Sequence, residues 1–153
     1  MTNNSIFDQE RLEILNAILG VLIPANETMP SASELNIEPL INDLTNRTNE
    51  TKKLILDGLQ QINIYAVQQY GMPFTQLPKT GKTEALSEAE SANNAFFSTL
   101  LRFAYDGYYS HPDVFESLGY TIPNPLDYKL DEPNKDLLEP QRKRKPFWIN
   151  PDS

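Results

Sequence analysis

The chain has no cysteine and a single histidine in 153 residues. Without cysteine there can be no disulfide, iron–sulfur ligation, thiol nucleophile or covalent c-type haem attachment, and one histidine leaves a structural zinc site without a ligand set. Glycine is scarce too. The six glycines, at 20, 58, 71, 81, 107 and 119, stand far apart, so the clustered loop that lets a Rossmann backbone approach a pyrophosphate is missing. "GKT" at Gly81 to Thr83 has the ending of a P-loop, but that motif also needs a glycine where Gln76 stands.

Long apolar runs are missing as well. The longest, "AILGVLI" (Ala17 to Ile23), falls well short of the roughly 20 residues that cross a bilayer, so direct membrane insertion is not expected. No twin-arginine or basic segment precedes it, and the compartment, cytoplasm or periplasm, stays open. Thirteen basic against 21 acidic residues give a net charge of -8, which repels phosphate backbones and argues against nucleic acid as a partner. β-branched alternation, the mark of a half-buried strand, is absent.

What is present is helical periodicity. "DQERLEILNAILGVLIP" sets Leu12, Leu15, Leu19 and Leu22 at helical spacing with Ile14, Ile18 and Val21 beside them; Ser5 or Asp8 can cap it and Pro24 ends it. A Pro- and Ser-rich loop leads into a short helix with Pro39 in its first turn and Leu40, Ile41 and Leu44 inward. A long helix follows with Ile55, Leu59, Ile62 and Ala66 on one stripe, Leu54 and Tyr65 beside it, and Gly71 as its left-handed cap. "TEALSEAESAN" is weakly amphipathic, and "NAFFSTLLRFAYDGYY" aligns Phe97, Leu100, Leu101, Ala104 and Tyr108. Beyond Tyr109, prolines recur at 112, 123, 125, 133, 140, 146 and 151 and the periodicity fades. The expected fold is all-α: a helical domain of four to five helices over 1–109, then an extended Pro-rich arm over 110–153 that packs on that domain or on a partner.

Chemistry-bearing residues are few. His111, flanked by Asp106 and Asp113, admits two readings: a small enzyme using that set, or a loop histidine bonded to local backbone. No nucleophile with its own activating neighbour accompanies it. Glu84, Glu88 and Glu90 sit at the spacing of a solvated helix face, and the ferritin-like di-iron pattern requires Glu-x-x-His on two helices. "QRKRKPFW" (Gln141 to Trp148) gathers four basic residues beside Phe147 and the only tryptophan, and reads either as a docking arm or as a tail whose Trp148 packs back on the helices.

Two stretches carry a family likeness. "ILNAILGVLIPANETMPSASELNI" has a leucine-rich helix ending in Ile-Pro and a small-residue loop; "FFSTLLRFAYDGYYSHPDVFESLGYTIPNP" has an aromatic helix, Gly-Tyr-Tyr-Ser, an X-Pro step and a final Gly-Tyr among prolines. In their order, from Arg11 to Pro125, they resemble the gluconate 2-dehydrogenase subunit 3 family. The family's usual Gly-Tyr-Pro-Gly-Pro is here "GYTIPNP", and the twin-arginine signal with which its members commonly begin, for export to the periplasm, is not among these residues. The resemblance implies a non-catalytic small subunit of a flavin-dependent sugar, sugar-acid or polyol dehydrogenase of the glucose-methanol-choline type. Such a subunit supports folding, cofactor loading or export of the large catalytic subunit. It implies no cofactor in this chain, FAD in the large subunit, and room for a c-type cytochrome subunit in the complex. The expected partner interface comprises Tyr105, Tyr108, Tyr109, His111, Pro112 and Tyr120 where the arm starts and Phe147 and Trp148 near its end. A stand-alone helical adaptor is the alternative, and an enzyme built on His111 with Asp106 or Asp113 is the remoter one.

Overall fold

The computed structural model describes residues 5–121 and 139–144, and among them every regular element is helical. The chain divides into two compact units, Met1–Tyr120 and Thr121–Ser153. In the second unit the described element is a single helical turn, Glu139–Arg142, with Lys143 paired to Glu139 at 3.0 Å. In the first unit no described helix is long and apolar enough to cross a membrane.

Helix α1 (Gln9–Leu22) is the element around which the first unit assembles. Asp8 caps it, its carboxylate accepting the Arg11 amide hydrogen at 2.8 Å. Ile14, Leu15, Ile18 and Leu19 form its buried stripe, and the helix packs against α2 (Glu38–Thr45), α3 (Asn49–Tyr70), α4 (Lys79–Ala92) and α5 (Asn94–Tyr109). The segment before α1 is drawn in as well: Phe7 is buried, and the Ile6 amide donates to the Asn42 side chain on α2 at 2.9 Å.

The loop after α1 is ordered by its own polar side chains. Asn26 accepts from the Thr28 and Met29 amides, and Ser31 with Glu34 forms a capping box at the 3₁₀ turn Ala32–Glu34; a second 3₁₀ turn, Phe74–Gln76, precedes α4. The α2 helix buries Ile41, Leu44 and Thr45, whereas Leu40, expected inward, stays partly in solvent with its tip over Gly107. On an eight-residue helix the core faces one narrow arc, and Ile41, Leu44 and Thr45 fill it.

Helix α3 buries the expected Ile55, Leu59, Ile62 and Ala66 and ends at Gly71, whose φ of 71° is the left-handed conformation. Asn63 joins three elements: its carbonyl accepts the Phe74 amide hydrogen at 3.0 Å, and its amide donates to Glu10 on α1 at 3.1 Å. The α4 helix takes in "GKT" as ordinary helix, and Glu84, Glu88 and Glu90 lie exposed along it.

The buried face of α5 is turned from the expected one. Phe96, Leu100, Phe103, Ala104, Gly107 and Tyr108 are buried, while Phe97 and Leu101 ride half-buried on the flank. Two glycines set this rotation. The Phe96 ring lies where a side chain on Gly58 of α3 would be, its Cδ2 only 2.1 Å from an ideal Cβ there, and Ile37 lies over Gly107 at 3.2 Å on the same measure. Residues through Tyr120 cluster with the helical unit, including a short helix α6 (Pro112–Ser117) held by the buried Val114, where the sequence reading begins the arm at 110.

Gly58→Ala would improve helix propensity yet drive a methyl into the Phe96 ring, so urea unfolding should show a loss of about 1–3 kcal/mol. The Tyr70 hydroxyl donates to the Glu84 carboxylate at 2.7 Å, and that bond, with burial and the carboxylate's charge, pushes the phenol up to about 12. The folded state then holds this proton above pH ~10, where the unfolded chain releases it, so the contribution is complete below pH ~10 and lost as pH climbs to about 12. Phenolate absorbance at high pH should show a late-titrating tyrosine that is lost in Tyr70→Phe, whereas the buried Tyr108 stays late in both proteins.

Candidate partner-docking surface

The candidate surface grows from the C-terminal half of α5. Asn93 starts this helix by accepting the Phe96 amide hydrogen at 3.2 Å, and from there the 3.6-residue period puts Tyr105 and Tyr109 opposite the core. Their rings stack with centroids 6.0 Å apart, and both stay open to solvent, at 41% and 48%. Tyr108 turns inward instead. It is buried, its hydroxyl donates to the Pro30 carbonyl at 2.8 Å, and its ring meets Tyr109 edge-on at 5.3 Å. Burial, with Tyr109 beside it, raises its pKa, so the hydroxyl remains a donor throughout the neutral range. Of three neighbouring tyrosines, one is thus an anchor and two form a displayed pair.

His111 closes α5 and opens α6. Its Nδ1 accepts the Asp113 amide hydrogen at 3.3 Å, which puts the ring hydrogen on Nε2, and the Asp113 carboxylate lies 3.8 Å from the same Nδ1. Pro112 occupies the first helical position, where its missing N–H is not needed. Asp106 is exposed on α5, and no described hydrogen bond or ion pair joins its carboxylate to His111.

The end of α6 explains the Gly-Tyr pair. Gly119 has a φ of 76°, its amide bonds to the Glu116 carbonyl at 2.9 Å, and the Tyr120 amide bonds to the Phe115 carbonyl at 3.1 Å. These are the two bonds of a Schellman stop, and the apolar contact that accompanies such a stop is present as Phe115 against Tyr120, rings 5.7 Å apart. The outer side of Tyr120 remains 62% exposed, and Leu118 is exposed too. At the far end of the expected interface, Arg142, Lys143 and Arg144 are exposed, while Phe147 and Trp148 lie outside the described residues.

Sequence reasoning found the tyrosines but not the division between them, because the partner of Tyr108 lies 78 residues away. Two broad clefts went unforeseen for a similar reason. One, of about 660 Å³, runs between α1 and α2 past Asn16, Glu38 and Asn42; the other, of about 610 Å³, runs past Gly20, Thr75, Lys79 and Lys82. Both are made by side chains from separate helices, and no local motif marks them.

Fold and surface together define a class: a small all-α protein that anchors one tyrosine in its core in order to hold two others outward, followed by a capped helical stop. The chain belongs to the gluconate 2-dehydrogenase subunit 3 family, whose model matches residues 9–123. The family name is that of a subunit in a multi-subunit gluconate dehydrogenase complex. No curated protein and no solved structure matches the chain.

Tyr108→Phe keeps the ring but orphans the Pro30 carbonyl. Denaturant unfolding should fall by about 1 kcal/mol, and proteolysis should quicken in the loop after α1.

Proposed function

We propose that this protein is the non-catalytic small subunit of a flavin-dependent sugar, sugar-acid or polyol dehydrogenase of the glucose-methanol-choline type, and that it supports folding, cofactor loading or export of the catalytic subunit. The observation that carries the reading is the stacked Tyr105–Tyr109 pair, displayed to solvent within a family of dehydrogenase subunits. Tyrosine supplies large contact area at little entropy cost, and its hydroxyl tolerates solvent before the partner arrives. A pair locked against a buried third ring is already arranged for docking, so little ordering is needed on association.

On this reading FAD resides in the large subunit, and a c-type cytochrome subunit can complete the complex. His111 contributes as the cap that orients α6, with Pro112 fixing its entry and Tyr120 its exit. The segment carrying Phe147 and Trp148 adds a second anchor.

The test is co-expression with the glucose-methanol-choline-type dehydrogenase subunit of the same genome. The two chains should purify together, and dye-linked dehydrogenase activity and flavin content of the large subunit should depend on this chain. Tyr105→Ala with Tyr109→Ala should cost about 1–2 kcal/mol of stability through the two lost ring contacts, leaving the chain folded, and weaken the complex at least about tenfold. A double variant that binds and activates like the native chain would remove the tyrosine pair from the interface.

A further inference from the structure

The start of α6 depends on a nitrogen that can lose its capacity to accept. Pro112, at the first helical position, has no amide hydrogen, which leaves the amides of Asp113, Val114 and Phe115 to be satisfied. Val114 and Phe115 both donate to the His111 carbonyl, at 3.1 and 3.0 Å. The Asp113 amide is left over, and its acceptor is the His111 Nδ1 at 3.3 Å. The side chains that cap α1, α3 and α5 are Asp8, Thr48 and Asn93, whose oxygens accept throughout the neutral range. An imidazole nitrogen accepts only while the ring is neutral.

Protonation reverses the role of the ring. Imidazole changes charge between about pH 5 and 8, and the cation has two N–H donors and no acceptor. The Asp113 amide then faces another donor. The ring has a second partner within reach, because the Asp113 carboxylate lies 3.8 Å from Nδ1, about 1 Å beyond a charge-assisted hydrogen bond. Some 27% of the His111 side chain is exposed, so a proton arrives from solvent without opening the fold.

The remaining ionisable groups nearby do not compete. On α6 the other charged residue is Glu116; on α5, against which α6 packs, they are Arg102 and Asp106, beside the phenols of Tyr105, Tyr108 and Tyr109. Among the described residues, no carboxylate except that of Asp113 lies within 4.0 Å of a His111 ring nitrogen. With only six residues, α6 has no interior turns to hold its shape if the first one loosens. Its buried Val114 ties it to the helical unit, and its far end carries the exposed Leu118 and Tyr120.

We propose that His111 is a proton-operated cap. Neutral, it accepts the Asp113 amide hydrogen and closes the first turn of α6; protonated, it releases that amide, pairs with the Asp113 carboxylate and lets the turn loosen. Val114 keeps the helix docked in both states, so the change is confined to the segment between Tyr109 and Tyr120. The inference concerns this chain alone and stands without the subunit reading.

Nuclear magnetic resonance on the full chain tests it, since the only histidine gives a single set of ring signals. As pH falls from about 8 to about 5, Nδ1 should change from unprotonated to protonated. Along the same curve, the Asp113 amide should pass from the small temperature coefficient of a bonded hydrogen to the larger one of a free hydrogen. His111→Asn supplies an oxygen cap that accepts throughout this range, and its Asp113 amide should stay bonded. Asp113→Asn removes the carboxylate, and the ring should then protonate at lower pH than in the native chain. An Asp113 amide that keeps its bonded character while the ring titrates overturns the proposal, as does a neutral ring with its hydrogen on Nδ1. Equal loss of bonding in His111→Asn overturns it too, because the cause then lies outside the ring.

Discussion

The hydroxyl of Tyr108, bonded to the Pro30 carbonyl, is the interaction on which the arrangement of the surface depends. It joins the end of the chain's aromatic helix to the loop that follows its most central one. A phenol is suited to this because its ring can be buried while its single proton satisfies a carbonyl that would otherwise be desolvated without a partner. With that ring fixed, the edge-on contact to Tyr109 and the stack of Tyr109 on Tyr105 follow from helical geometry.

The two resembling stretches meet at this bond, one supplying Pro30 and the other Tyr108. Their contact continues where Ile37 lies over Gly107, so the absence of a side chain at 107 is what lets α5 approach the chain just before α2. Gly58 does the same under Phe96 at the other end of α5. Two notches about one helix length apart fix a rotation that the aromatic residues alone leave open, since Phe96 and Phe97, or Leu100 and Leu101, are equally apolar.

A subunit that works by association must keep apolar groups at its surface without losing solubility. A net charge of -8 adds repulsion between copies of the chain, while Ile64, Val67, Tyr105, Tyr109 and Tyr120 are among the apolar side chains left exposed. Capping carries much of the local order: Asp8, Ser31, Thr48, Asn93 and His111 each begin a helix or turn with a side-chain acceptor. His111 in particular has its Nδ1 occupied by the Asp113 amide, which accounts for the histidine in local backbone terms.

From the sequence alone came the all-α class, the buried stripe of α3, the glycine stop at 71 and the family, because each is written in residues close together in the chain. Periodicity and proline positions are local signals, and local signals survive without coordinates. α6 escaped because six residues contain too few turns to show a period. The rotation of α5, the inward turn of Tyr108 and the partial exposure of Leu40 were decided only by tertiary structure. Each depends on what another helix presents across the interface, whether a glycine, a carbonyl or a missing side chain, and close packing lets that distant residue determine which of several equally apolar side chains goes inside.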